Sequence, residues 1–154
     1  MRLLPLVLLL ISTTCRADLG LNVYGLSWHF DQDKAREIGV DNQVNPGLGV
    51  RWRKAGEEWD GFADAGFYRD SGRNTATLAG AGALWHVGGG SARLGAALAV
   101  LHSDTYNQGK TFIAPLPVAA WDWRHATLNM VYLPKVHEVN DINTLGFWLT
   151  VWLR

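Results

Sequence analysis

From about residue 19 to the end of this chain, apolar and polar or small residues alternate with a period of two. In residues 78–86, Leu78, Gly80, Gly82, Leu84 and His86 fall on one face, and Thr77, Ala79, Ala81, Ala83 and Trp85 on the other. In residues 47–53, Gly47, Gly49, Arg51 and Arg53 oppose Leu48, Val50 and Trp52. In residues 145–154, Leu145, Phe147, Leu149, Val151 and Leu153 share a side. Such alternation is the signature of strands with two different faces. An arginine pair on one face and an apolar row on the other suits a wet lumen inside a lipid-facing wall.

Eight segments of this kind are read at about 19–30, 44–54, 59–70, 75–87, 91–102, 111–121, 123–133 and 144–153. Each is near the length that crosses a bilayer as a tilted strand. The connections near 55–58, 88–90 and 122 are short. Those near 31–43, 71–74, 103–110 and 134–143 are longer on average and more polar. The pattern predicts an all-β fold: an eight-stranded antiparallel transmembrane β-barrel, with periplasmic turns and extracellular loops. Trp52, Trp59, Trp85, Trp121, Trp123 and Trp152 cluster near the short turns, where an aromatic girdle is expected. A soluble barrel with tryptophans in its core is the competing architecture. Arg154 ends the chain on a charge rather than an aromatic ring.

Composition sharpens this picture. The 154 residues allow one domain. Residues 1–17 read as a signal peptide: Arg2 is the positive start, Leu3 to Ile11 the apolar run, and Cys15 and Ala17 the small residues before a cut at Asp18. A lipoprotein cut before Cys15 fits less well, because Ser12-Thr13-Thr14 departs from the usual preceding residues. The barrel domain is then 18–154. No later run is long and apolar enough for a transmembrane helix. Cys15 is the one cysteine, so the mature chain has no disulfide and no thiolate metal site. Lys plus Arg and Asp plus Glu are both 14, a balance that gives no sign of nucleic acid.

Strand counting brings three reactive side chains together. The mature chain starts on the short-turn side, so strand one ends outward at His29. Strand three also ends outward, at Asp70, and Ser71 opens the next loop. An acyl transfer from an ester to a hydroxyl needs a proton acceptor and oxyanion donors. His29 is the candidate general base. Asp70 is a candidate to orient its ring and stabilise the imidazolium. Ser71 is a candidate nucleophile or oxyanion donor. Adjacent residues of an extended chain point in different directions, which does not suit a linear relay through Asp70 and Ser71.

Several motifs resemble the PagP-type lipid A palmitoyltransferases, which are eight-stranded outer-membrane barrels. Leu26-Ser27-Trp28-His29 with Asp33-Lys34 resembles that family's Thr-Trp-His segment and first loop. Asn45-Pro46-Gly47-Leu48-Gly49 is similar to its Pro-Trp-Gly-Gly start of strand two. Phe67-Tyr68-Arg69-Asp70-Ser71 is similar to its basic-Asp-Ser motif, and Ala79-Gly80-Ala81-Gly82 to its Gly-x-Gly. Ala114-Pro115-Leu116-Pro117-Val118 and Met130-Val131-Tyr132-Leu133-Pro134 resemble Pro-Leu-Pro-Val and Met-Thr-Tyr-Ile-Pro. The resemblance implies transfer of a palmitoyl chain from a phospholipid to lipid A in the bacterial outer membrane. It implies His29, Asp70 and Ser71 as required residues and Gly82 as the floor of the acyl pocket, so that Gly82→Met would favour shorter chains. Pro46, Pro117 and Pro134 are candidate lateral gates, because proline removes ladder hydrogen bonds. The family's N-terminal amphipathic helix is missing here. Gly25 replaces one gate proline, and a basic residue of the third long loop is Ser103 or absent. No cofactor, metal or nucleic acid is expected, and a monomer is.

Two rival readings share the same barrel. A lipid A deacylase would carry a His-x-Ser pair on one inner face, but here Ser27-Trp28-His29 is reversed and His102-Ser103 straddles two faces. A non-catalytic small barrel would need the alternation and girdle but not His29 with Asp70-Ser71.

Overall fold

A computed structural model describes residues 17–153. The expected leader, apart from Ala17, lies outside those residues, as does Arg154. The chain folds as β1 (Ala17–His29), α1 (Gln32–Glu37), β2 (Val44–Lys54), β3 (Trp59–Arg69), β4 (Thr75–His86), β5 (Ala92–His102), β6 (Phe112–Asp122), β7 (Ala126–Leu133) and β8 (Thr144–Leu153). The strands form one closed barrel in chain order, all neighbours antiparallel, with β8 pairing back onto β1. Closure leaves no free edge, so every strand has a ladder on both sides over at least part of its length.

The eight strands stand where the alternation predicts them. β7 starts at Ala126 rather than near 123, because Trp123 to His125 form the turn. The helix α1 is not foreshadowed by periodicity. It has six residues, with Ala35 its one buried side chain, so no apolar stripe announces it. Asp31 caps it, its carboxylate accepting from the Lys34 amide at 2.9 Å.

The outer surface is apolar. Leu21, Val23, Val50, Leu94, Leu98, Ile113 and Val151 are exposed along the strands. Among the described strand residues that point outward, Lys54 and Arg69 are the charged ones, and each ends its strand. A continuous apolar belt around a closed barrel has no place in water. It is the surface of a wall in lipid. Trp52, Trp59, Trp85, Trp121 and Trp123 are exposed at the short-turn end, as a girdle requires. Trp152 is a correction to the expected girdle. It shares the inward parity of Thr150, is buried, and donates from its indole Nε1 to Thr127 Oγ1 at 2.9 Å.

Strand β1 contains the feature that matters most for function. Its ladder to β8 pairs Tyr24 with Trp148 and then Leu26 with Phe147, so Gly25 is an extra residue. This bulge exchanges the two faces of the strand. Below it Leu19, Leu21 and Val23 point outward; above it Leu26 and Trp28 do. Ser27 and His29 therefore point into the barrel.

A buried charge test separates a lipid-facing wall from a wet one. Leu98 is 58% exposed near the middle of β5. Leu98→Arg is expected to lower stability by about 2–4 kcal/mol in phospholipid bilayers. Urea unfolding in vesicles measures it, and a change within about 0.5 kcal/mol is the result for a water-exposed position.

Candidate functional site

The lumen is divided into two halves. The short-turn half is filled by polar side chains. Arg51, 2% exposed, meets Asp64 through two parallel bonds, Nε to Oδ1 at 2.7 Å and Nη2 to Oδ2 at 2.6 Å. Its third arm donates to Asn129 Oδ1 at 2.5 Å. Asn129 donates to Thr150 Oγ1 at 2.9 Å, and Thr150 to Asn22 Oδ1 at 2.7 Å. Asn22 returns to Asp64 Oδ1 at 3.2 Å. The donors and acceptors thus close a ring across β1, β2, β3, β7 and β8, the fork geometry that suits a buried carboxylate. A second layer follows beneath, where Arg53 pairs with Asp18 and Asp122, and Arg93 with Asp122.

The outer half is a cavity. Its wall is apolar, with Leu78, Ala97, Ala99, Leu116, Val118 and Val131 among its lining residues. Its inner end meets the charges below: Asp64 lines the cavity beside the rings of Phe62 and Trp148. The Arg51 guanidinium lies 4.4 Å from the Phe62 ring centre and 5.6 Å from that of Trp148, and both rings also line the cavity. The cavity is therefore blind toward the short turns and polar at its outer mouth, where Ser27, Asn45, Ser71, Tyr106 and Thr144 appear.

His29 and Ser71 meet at that mouth. The His29 Nε2 and Ser71 Oγ are 3.0 Å apart, and both residues are buried. The Ser27 hydroxyl is 3.4 Å from the same Oγ. With the ring proton on Nδ1, Nε2 accepts from the serine, the arrangement of a nucleophile and its base. Asp70 lies at the same end but does not touch the imidazole. Its carboxylate accepts from the Ser103 hydroxyl and from the Asn74 amide, the latter at 2.9 Å. The role of orienting His29 is thus not one this geometry gives Asp70: the His29 Nδ1 is buried and has no hydrogen-bond partner. Tyr106, in the loop after β5, lines the mouth beside Ser71; burial pushes its phenol up to about 12, so it remains a protonated donor.

Gly82 is a second correction. It does not line the cavity; Gly80, one inward position nearer the mouth, does. A Cβ on Gly82 would stand 2.7 Å from the Phe62 Cζ. The bare glycine makes room for that ring, and the ring forms the floor. Ala97, paired with Gly82 across the ladder, packs on the same Phe62 cluster and does line the cavity.

The proline positions mark gaps in the wall. The β6–β7 ladder runs from Asp122–Thr127 to Val118–Val131 and stops. Above it, Phe112 to Leu116 and Pro117 pair with β5 alone, and Tyr132 and Leu133 with β8 alone. Pro115 and Pro117 have no N–H to offer, and Pro134 ends the facing strand. Leu116 and Leu133, on the two sides of this seam, line the cavity. At the second gap the β2–β3 ladder begins only at Gly47–Tyr68, below Pro46, while the Asn45 side chain donates to the Arg69 carbonyl at 3.0 Å. Both gaps are at the level of the mouth.

Taken together, the fold and the lumen define a small membrane barrel with a blind apolar cavity, two lateral seams and a serine–histidine pair at its opening. No family model matches the chain, and no curated protein matches it. Among solved structures, a bacterial polysaccharide outer membrane secretin aligns with a TM-score of 0.40 and 16% identity, covering 75% of this chain and 36% of that one. This chain therefore spans well under half of that secretin chain. Neisserial surface protein A aligns with a TM-score of 0.39 and 12% identity, covering 89% of this chain and 95% of that one.

The buried ring of charges gives a stability test. Arg51→Met leaves the Asp64 carboxylate buried without its partner and is expected to cost about 3–5 kcal/mol. Arg36→Met breaks the exposed pair with Asp33 and is expected to cost under about 1 kcal/mol. Denaturant unfolding of both variants beside the parent chain checks the contrast.

Proposed function

We propose that this barrel is a bacterial outer-membrane acyltransferase that moves a long acyl chain, palmitoyl in the first instance, from a phospholipid to lipid A. The observation that carries the reading is the 3.0 Å approach of His29 Nε2 and Ser71 Oγ at the mouth of an apolar cavity. Acyl chemistry needs a nucleophile, a base and a dry place for the chain, and here they adjoin. The sequence resemblance to the palmitoyltransferases names the same two residues.

The proposed reaction runs in two halves around Ser71. A phospholipid enters sideways through a wall seam and lays its acyl tail in the cavity, passing from one apolar medium to another without exposure to water. Ser71 Oγ attacks the ester carbonyl while His29 Nε2 takes its proton. The hydroxyls of Ser27 and Tyr106, which line the mouth, are the proposed donors to the developing oxyanion. The carbonyl re-forms, the C–O bond to the glycerol breaks, and His29 returns the proton to the departing lysophospholipid oxygen. A lipid A hydroxyl then attacks the acyl-serine. His29 accepts that proton and gives it back to Ser71 as the ester forms. No redox step or cofactor enters the balance.

Mass spectrometry of lipid A from cells with and without the protein tests the activity. The reading expects an added long acyl chain with the intact protein, and its loss by about a thousandfold or more in His29→Ala and in Ser71→Ala. An unmodified lipid A with well-folded, abundant protein rejects the transferase. Free fatty acid without modified lipid A indicates hydrolysis instead. Full transfer by both variants rejects the site.

The cavity floor sets a second expectation. Ala97→Met projects into the chamber above Phe62 and is expected to shift the transferred chain to one shorter by about two to four carbons, because the longer side chain occupies the end of the slot. The lipid A mass distribution reads this directly, and an unchanged distribution contradicts the placement of the floor.

A further inference from the structure

We propose that Asp70 and Ser103 form a buckle between two extracellular loops that positions Ser71, so that Asp70 acts on the serine through the backbone and not on the imidazole of His29. The proposal rests on the transferase reading of the His29–Ser71 pair and assigns that site two positioning residues.

The buckle is built around a carboxylate with no solvent exposure. Asp70 Oδ2 accepts from the Ser103 hydroxyl, and Oδ1 from the Asn74 amide at 2.9 Å. The Ser103 oxygen in turn accepts from the Thr105 amide at 3.0 Å. One side chain therefore closes the turn after β3 and ties it to the loop after β5. The tie is repeated outside it, where Asn74 Nδ2 donates to Thr105 Oγ1 at 3.0 Å. Gly72 presses so near the Thr105 side chain that a Cβ there would collide with it. Backbone bonds complete the turn: the Asp70 amide donates to the Asn74 carbonyl at 2.8 Å, and the Arg73 amide to the Asp70 carbonyl at 3.0 Å. Arg73 adopts a φ of 65°, a left-handed conformation such a tight reversal needs.

A third loop holds the serine from the other side. Asn42, between α1 and β2, donates its side-chain amide to the Asp70 carbonyl at 3.0 Å and its backbone amide to the Ser71 carbonyl at 3.3 Å. The peptide units on both sides of Ser71 are thus fixed. The hydroxyl has a single remaining freedom, its rotamer, and lands 3.0 Å from His29 Nε2. A carboxylate that served His29 would sit on Nδ1. The Asp70 oxygens are committed to Ser103 and Asn74 instead, and both bonds are charge-assisted.

Asp70→Asn separates the two roles. An asparagine keeps an oxygen for the Asn74 amide and can donate from Nδ2 to the Ser103 oxygen, so the buckle survives without the charge. A carboxylate acting on the imidazole does not survive that change; its loss costs about ten-thousandfold in kcat. The experiment measures acyl transfer by the purified full barrel in detergent micelles, with a phospholipid donor and lipid A acceptor. Alongside it runs amide hydrogen exchange at Asn74 and Thr105. Asp70→Asn is expected within about tenfold of the parent kcat. Asp70→Ala and Ser103→Ala each lose about tenfold to a hundredfold in kcat with little change in KM, the effect of breaking the buried Asp70–Ser103 tie. The double variant is no worse than the poorer single one, because both break the same tie. Exchange at the two amides quickens in the alanine variants and not in Asp70→Asn.

A loss in Asp70→Asn as deep as in Asp70→Ala, with the two amides still protected, overturns the proposal and places the Asp70 charge on His29. Unaltered exchange in Ser103→Ala overturns it too. A parent protein that transfers no acyl group refutes the transferase reading, and the exchange measurement then decides the buckle by itself.

Discussion

A strand sends successive side chains to opposite faces, so one extra residue in β1 exchanges those faces for everything beyond it. Gly25 is that residue. Below it the odd-numbered residues Leu19, Leu21 and Val23 meet lipid; above it the odd-numbered Ser27 and His29 meet the lumen. An unbroken ladder would direct His29 into the bilayer and Trp28 at Ser71. The bulge costs one irregular ladder position, and a glycine is the residue best suited to supply it. Every chemical statement about the mouth of this barrel depends on that reset.

The second constraint is the partition of the lumen. An eight-stranded barrel is just wide enough for its own side chains to fill it. Here they fill only half. The inner half holds Arg51, Asp64, Asn129, Asn22 and Thr150 in a closed ring of bonds, which satisfies buried charges that would otherwise be costly. Phe62 and Trp148 lie over Arg51 in that ring, and Asp64 beside them reaches the cavity. The outer half uses glycine and alanine at inward positions, Gly80, Ala97, Ala99 and Gly146, and so leaves space. Polar plug, aromatic floor and apolar chamber follow one another along the axis. The wall is weakest beside the chamber, where the prolines of β6 and the Pro46 end of β2 interrupt the ladders.

Much of this was legible in the residues. Strand positions, loop lengths and the inward face of β4 follow from period-two alternation, because a barrel wall in lipid enforces it at nearly every position. The meeting of His29 and Ser71 follows from counting strands to a common end. The bulge is not among the sequence readings and shows in the ladder, where the outward residues change from Leu19, Leu21, Val23 to Leu26, Trp28 across Gly25. What escaped is what depends on neighbours distant in sequence. Trp152 has the inward parity yet lies at a short turn, so its position alone suggested the girdle. Gly82 is inward and bare, but Phe62 from the adjacent strand takes up its space. Asp70 reads in sequence as the group that orients the His29 ring, whereas Ser103, 33 residues away, claims its carboxylate. The seam needed Pro115 as well as Pro117, and only the ladder shows how far it extends.

The central claim is that His29 activates the Ser71 hydroxyl at the opening of a chamber for acyl chains. A long-chain alkyl fluorophosphonate tests it most directly, because it reacts with an activated serine and carries its own hydrocarbon tail. The account predicts a single adduct on Ser71 in the folded protein in micelles, with labelling slowed at least about a hundredfold in His29→Ala. Equal labelling of the two proteins, or an adduct on Ser27 in place of Ser71, would contradict it.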